Sequence, residues 1–148
     1  MANVSLHKSM LLVGVQFICI GIIVLTGPII VSMSWLLGLE LAGVIIGLWA
    51  FQAMTIKNLH IFPEVHKTSV LVTHGPYHFI RHPMYTALLL CTLAMILDEF
   101  STLRLVAWVF LVVDLIVKLT YEETLLVQRF QEYTRYQRHT SRLIPYVF

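Results

Sequence analysis

The chain has 148 residues, 58% apolar and 12% charged, where an average soluble domain is roughly 25% charged. That balance excludes an ordinary soluble core and points to one integral membrane domain spanning residues 1–148, while a net charge of +2 is too small to suggest a nucleic-acid partner. Cys19 and Cys91 both lie in apolar runs and read as buried thiols, not as a disulfide or metal framework.

The stretch from Ser9 to Leu39 carries no charge and is too long for one crossing, which takes about 20 residues. Gly27-Pro28 is the natural break, placing a first span near 10–26 and a second near 34–54. No small-residue cleavage pattern follows the first run and a second apolar run comes at once, so the first is expected to be a retained anchor and not a signal peptide. Gly43-x-x-x-Gly47 in the second span suits close helix packing, either within the chain or between copies in a homo-oligomer. Glu40, near the outer end of that span, can snorkel to the interface.

From Thr55 to Arg81 the chain turns polar, with Lys57, Glu64, Lys67 and histidines at 60, 66, 74 and 78. Two further apolar runs, 83–97 and 103–119, flank a tight turn marked by Asp98, Glu99 and Arg104. The shorter of the two fits a tilted hairpin or a locally thinned bilayer. With four spans, Lys8, Lys57, Lys67, Arg81, Lys118, Arg129, Arg135, Arg138 and Arg142 share one side and Arg104 alone takes the other. By the positive-inside rule both termini and the 71–85 loop face the cytoplasm. Beyond the fourth span, Leu126, Phe130, Tyr133 and Tyr136 form a helical stripe, which predicts an amphipathic cytoplasmic helix over 121–139.

The chemistry-bearing residues concentrate in Leu71–Tyr85, LVTHGPYHFIRHPMY. His74, His78 and His82 recur every fourth residue, the spacing of a metal or haem stripe on a helix. Gly75-Pro76 interrupts such a helix, Pro83 follows at once, and no cysteine or carboxylate stands close enough in sequence to complete a ligand set. Interfacial histidines with no metal are the expectation. Asp114 lies inside the fourth span, where an ionised carboxylate is costly. Lys118 stands one turn on, so either a helix-end ion pair or a polar substrate pocket accounts for it. Glu122 and Glu123 follow where the span should leave the hydrocarbon, and read either as a solvated face or as a site for a cationic ligand.

The loop, followed by EETLLVQRF, then Tyr133, Tyr136 and the ending SRLIP, resembles the membrane-embedded methyltransferases: the isoprenylcysteine carboxyl methyltransferases, with phospholipid N-methyltransferases more distant. The pattern G-x-Y…R-H-P-x-Y…E-E covers residues 69–145. The resemblance implies an all-α integral membrane fold of about four transmembrane helices, with the cytoplasmic loop and the C-terminal amphipathic helix forming a site for S-adenosylmethionine (SAM). It implies that Ser69, Leu71, Val72 and Tyr77 hold the adenosine part, that His82, Pro83, Met84 and Tyr85 lie along the cofactor, and that Glu122, with Glu123, anchors its polar end. His82, Tyr85 and Glu122 are the implied catalytic residues. Lys118 falls where the carboxyl methyltransferases carry an arginine implicated in substrate binding; a lysine keeps the charge but loses the bidentate fork.

The chain departs from those enzymes at Ser69, where they tend to have histidine, and at Phe130-Gln131-Glu132-Tyr133, which lacks their glycine and one residue. The function so implied is methyl transfer from SAM to a lipophilic acceptor, a carboxylate, amine or thiol, within a multi-pass membrane protein surrounded by lipid. A sulfonium arrives already activated, so alignment and exclusion of water are the main demands on the protein. A small membrane redox or metal protein using the histidine-rich loop, and a non-catalytic membrane scaffold, are the alternatives.

Overall fold

The computed structural model describes residues 2–54 and 71–148. Five α-helices follow in order: α1 (Ala2–Leu25), α2 (Ser34–Ala53), α3 (Pro83–Asp98), α4 (Thr102–Arg129) and α5 (Tyr133–Gln137), with a 3-10 turn at Gly75–His78 before α3. Among the described residues there is no strand, only an isolated parallel bridge between Ile80 and Ser141. The expected segment from Lys57 to Lys67, with His60 and His66, lies outside the described residues, as does Ser69.

Composition alone makes α2 a candidate crossing: 20 residues at a mean hydropathy of 1.7, with Ser9–Leu25 and Pro83–Asp98 as shorter apolar helical stretches. The pattern on α4 is inverted relative to a soluble helix. Its inward positions include Arg104, Asp114, Lys118 and Glu123, while Val106, Phe110, Val113 and Val117 are exposed. Apolar residues outward and charges inward is the arrangement a hydrocarbon solvent demands. At 28 residues, α4 is about 42 Å long against a hydrocarbon layer of about 30 Å. The helix is thus longer than one such layer is thick.

The helices pack in pairs, α2 on α3 and α1 on α4, with smaller α3–α4 and α1–α3 contacts. The apolar core, including Ile23, Leu36, Met95, Ile96, Leu111 and Leu115, lies toward the α1–α2 and α3–α4 turns. Those turns are tied by acids. Asp98 accepts hydrogen bonds from the Ser32 N–H at 3.0 Å, the Ser32 hydroxyl at 2.9 Å and the Met33 N–H at 3.1 Å. Glu40 accepts from the Val31 N–H at 3.2 Å. Backbone donors ahead of α2 would otherwise lack partners. Arg104 is fully buried and donates to the Glu99 carbonyl at 2.5 Å. It lies so close to Gly27 that a Cβ there would fall 2.5 Å from its Nη1. A side chain at position 27 would therefore have to displace the Arg104 guanidinium.

The Gly43–Gly47 pair faces α3 within the same chain. A Cβ at Gly43 would come within 2.6 Å of Cys91 Sγ and 3.0 Å of the Ala87 carbonyl, and one at Gly47 within 3.3 Å of the Ala87 Cβ. Small residues let the two backbones approach. Both cysteines are free thiols, Cys19 buried and Cys91 half-buried.

The single amphipathic helix expected over 121–139 is broken. α4 runs unbroken from the apolar segment to Arg129, the chain turns at Phe130–Glu132, and α5 folds back. The cause is tertiary: Tyr133 is buried, and the Tyr136 hydroxyl donates to the Tyr77 carbonyl at 2.5 Å. The helical period of the apolar residues carries across the break and so hides it. One prediction follows from the α2–α3 contact. Gly43→Ala should cost about 1–3 kcal/mol by overpacking, read as a lower midpoint of thermal unfolding in detergent. Gly14→Ala, where a Cβ meets nothing within 4 Å, should leave the midpoint unchanged or slightly raised.

Candidate active site

The loop before α3 is shaped by its glycine and prolines. Gly75 adopts φ 62°, a region L-residues avoid, and packs against Ala53 and Trp49 of α2. Pro76 opens the 3-10 turn, and its carbonyl accepts the N–H groups of Phe79 and Ile80, both at 3.1 Å. Pro83 begins α3, where a missing N–H costs nothing. Tyr77 is thereby buried, its hydroxyl 3.9 Å from Met54 Sδ.

Arg81 and His82 are then gripped by the chain's last residues. The Arg81 N–H donates to the Ser141 carbonyl at 2.8 Å, the His82 N–H to the Arg142 carbonyl at 3.1 Å, and the Ser141 N–H to the Phe79 carbonyl at 3.2 Å. The Thr86 hydroxyl donates to the Leu143 carbonyl at 2.8 Å. Residues 140–143 form a strap over the start of α3.

Beneath the strap lies Glu123, buried, with both oxygens engaged. Arg81 Nε donates to Oε1 at 2.6 Å; Arg142 Nε donates to Oε2 at 3.2 Å, with Gln137 Nε2 at 3.5 Å. The rest of the Arg81 fork reaches the carbonyls of Gln137 and Thr140. Burial alone would push the Glu123 carboxyl up, but His82 and Arg81 outweigh it and hold it down at about 2. Burial also pushes the Tyr77 and Tyr133 hydroxyls above the ordinary tyrosine range and that of Tyr136 to about 12. All three remain protonated donors at neutral pH.

Glu122, one position round the helix, has different surroundings. The Tyr85 hydroxyl donates to its Oε1 at 2.5 Å, and His82 Nδ1 lies 3.5 Å from its Oε2. The His82 and Tyr85 rings are parallel within 5°, with centroids 5.5 Å apart. His82 Nε2 lies 3.5 Å from Glu123 Oε1, but not in hydrogen-bonding geometry, and is a buried nitrogen without a partner. Lys118 Nζ sits 5.6 Å from the centre of the Tyr85 ring and donates to Gln16 Oε1 of α1 at 2.5 Å.

Of the residues expected at the site, the structure brings His82, Tyr85, Glu122, Glu123 and Lys118 together. Tyr77 joins them through Tyr136 and the strap. Pro83 is buried at the start of α3, Met84 is exposed beside it, and Leu71 and Val72 are half-buried on the approach to the loop. No hydrogen bond ties Leu71, Val72 or Met84 to the cluster. His74 and His78 are exposed while His82 is buried, so the three do not form one stripe. Among the described residues no group of three His, Cys, Asp or Glu is arranged to hold a metal ion. An open hollow of about 360 Å³ flanks the clasp, lined by Arg81, Gln137, Thr140 and Arg142 among others, and does not reach Tyr85 or Glu122.

Three features have no local signal in the sequence: the role of Arg81 as a clamp, the contribution of Arg142, and Gln16. A cationic ligand end fits the residues present. Glu122 keeps a partly open carboxylate beside the Tyr85 hydroxyl, while the unpartnered His82 nitrogen lies on the Glu123 side.

The clasp carries a pH dependence of definite sign. A carboxylate held below its ordinary 4.5 at about 2 adds stability that is fully present above pH 4.5 and is lost as pH falls toward 2. Strap opening, read by amide hydrogen exchange at residues 140–143, should rise over that window. In Glu123→Gln it should be high and insensitive to pH there, since removing one partner of a buried charge group costs about 3–5 kcal/mol. Arg142→Ala should cost less, about 1 kcal/mol or under, because that side chain is 35% exposed.

Comparison with known protein families identifies a model described as phospholipid methyltransferase, matched by residues 11–133. The match begins inside α1 and ends at the first residue of α5, so it takes in the loop, both glutamates and Lys118. Curated proteins and solved structures give no match. With most of its length matched, from the first helix through the Tyr85–Glu122 cluster, this chain belongs to the phospholipid methyltransferase family.

Proposed function

We propose that the protein transfers a methyl group from SAM to a lipophilic, membrane-partitioned acceptor whose reacting atom is a carboxylate, amine or thiol, in the manner of the isoprenylcysteine carboxyl methyltransferases. The observation that carries this reading is the Tyr85–Glu122–His82 cluster at one end of an apolar helical bundle, in a chain of a methyltransferase family.

SAM supplies an electrophilic methyl group on a cationic sulfur. In this proposal Glu122 holds the cofactor's ammonium, and the Tyr85 face lies against positive charge. His82, with Nδ1 3.5 Å from Glu122 Oε2, steadies the carboxylate that meets the ligand. Tyr77 takes the adenosine part with Ser69, Leu71 and Val72, and Pro83 and Met84 lie along the cofactor. Glu123 acts as a positioning residue: its two oxygens are already taken by the protein, and through Arg81 it fixes the backbone that carries His82. Lys118 faces an anionic part of the acceptor. A carboxylate or thiolate acceptor needs no base. An ammonium acceptor must first lose a proton, for which His82 and Glu122 are the groups within reach. The apolar outer faces of the helices exclude water from the reacting atoms and admit a lipid from the side.

This assignment goes with four crossings, near 10–26, 34–54, 83–97 and 103–119, in one domain with both termini and the site in the cytoplasm, where SAM is available. A reporter fused after Phe148 should lie in the cytoplasm, and one inserted near Phe100 outside it. The reverse result removes the site from its cofactor.

Purified protein in detergent should bind SAM or S-adenosylhomocysteine saturably by calorimetry. Glu122→Gln keeps the shape and removes the charge. A charge-assisted hydrogen bond contributes about 1.5–3 kcal/mol, so affinity should fall about ten- to a hundredfold with little loss of thermal stability. Well-folded protein that binds neither compound rules the reading out. Binding without turnover across carboxylate, amine and thiol acceptors favours a non-catalytic scaffold.

A further inference from the structure

Down one face of α4, Asp114, Lys118 and Glu122 follow at four-residue intervals with alternating charge. The expected partner of Lys118 is Asp114, one turn away on the same helix. Both are buried, yet no ion pair within 4.0 Å joins them. The ammonium instead meets a neutral amide, Gln16 Oε1, at 2.5 Å, and the face of Tyr85 at 5.6 Å. Asp114 Oδ2 stays buried with no hydrogen-bond partner. A buried cation should prefer a carboxylate to an amide, because charge attraction grows as water is removed. Its displacement from Asp114 therefore needs a specific restraint, and the Gln16 oxygen is the contact that supplies it.

We infer that Gln16 is a positioning residue, a latch on α1 that holds the Lys118 ammonium on the Tyr85 side of the α1–α4 seam, out of reach of Asp114, and so presents it to an anionic head group on the acceptor. The inference rests on the assignment of Lys118 to acceptor recognition made above. It divides the two acids of the stripe by role. Glu122 belongs to the cofactor and Asp114 is the competing partner from which Gln16 withholds Lys118. A latch that served only to set the register of α1 on α4 would not care which way the ammonium points.

The test is spectroscopic and uses the full chain in detergent micelles. Lysine labelled with carbon-13 at Cε gives one signal for each of Lys8, Lys57, Lys67 and Lys118, and Lys118→Arg identifies the last by its loss. Stacking over Tyr85 should shift the Lys118 signal upfield. Gln16→Met, similar in shape but without the acceptor oxygen, should abolish that shift, and adding Asp114→Asn should restore it by removing the competitor. Titration with dodecyl phosphate and with dodecanoate, two soluble amphiphilic anions, should move the wild-type Lys118 signal. Gln16→Met should weaken that response about tenfold, the change expected for about 1.4 kcal/mol. The stronger of the two anions then distinguishes a phosphate from a carboxylate head.

An unchanged Lys118 signal in folded Gln16→Met overturns the latch, and so does a shift that Asp114→Asn fails to restore. A wild-type signal that ignores both anions overturns the head-group role. Failure of wild-type protein to bind SAM, with the Lys118 pattern as expected, strikes the methyltransferase assignment and leaves the latch standing.

Discussion

One buried carboxylate holds the loop end of this bundle together. Taking Glu123 out of water costs several kcal/mol unless its lone pairs are matched, and here they are matched by Arg81 from the loop and by Arg142 and Gln137 from the chain's end. Three stretches far apart in sequence must therefore be in place before the charge is tolerable. The consequence for the site is indirect but strong. Arg81 and His82 are adjacent, their N–H groups are spoken for by Ser141 and Arg142, and the imidazole lies 3.5 Å from each glutamate. Glu122 is held only by Tyr85 and His82 and stays the more open of the two neighbouring acids.

α4 mixes charged with apolar residues on its buried side and exposes apolar ones. On α4 the charged side chains point toward α1 and α3, and valines and phenylalanine point away. Arg104 meets a carbonyl, Lys118 an amide and a ring, and Glu123 two arginines, while Asp114 Oδ2 has no hydrogen-bond partner. The apolar core toward the α1–α2 and α3–α4 turns and the polar cluster near the loop divide the labour along the helix axes. The end that holds Asp98 on Ser32 and Arg104 against Gly27 is closed by short contacts. The opposite end carries the groups that can meet a ligand.

Much of this was legible in the sequence, for reasons that differ from element to element. The apolar helices were visible because lack of charge over about 20 residues is itself the signal, although α1 begins at Ala2, earlier than hydropathy implies, since backbone hydrogen bonds do not stop where the side chains turn polar. The loop was recognisable from Gly75, Pro76 and Pro83, which punctuate the backbone in a way few other residues do. The break at Phe130 was hidden, because Leu126, Phe130, Tyr133 and Tyr136 keep a helical period across it and only the contact of Tyr136 with Tyr77 reveals the turn. Glu122 and Glu123 stood out as a pair, but their separate roles depend on Arg142, which lies 19 residues further on. Gln16 and Lys118 are 102 positions apart, so no local pattern could have joined them.

The close approach of α2 and α3 has a bearing on traffic through the bundle. At Gly43 and Ala87 the helices lie so near that even a methyl group on the glycine would meet its neighbour at 3.0 Å, so an acyl chain has no path between them. α3 and α4 touch far less, and they are the helices that bring Tyr85 and Glu122 together. For the lipophilic acceptor proposed above, the α2–α3 side would be closed. The looser seam, between α3 and α4, is the one that the Tyr85–Glu122 hydrogen bond closes at the loop end of the bundle.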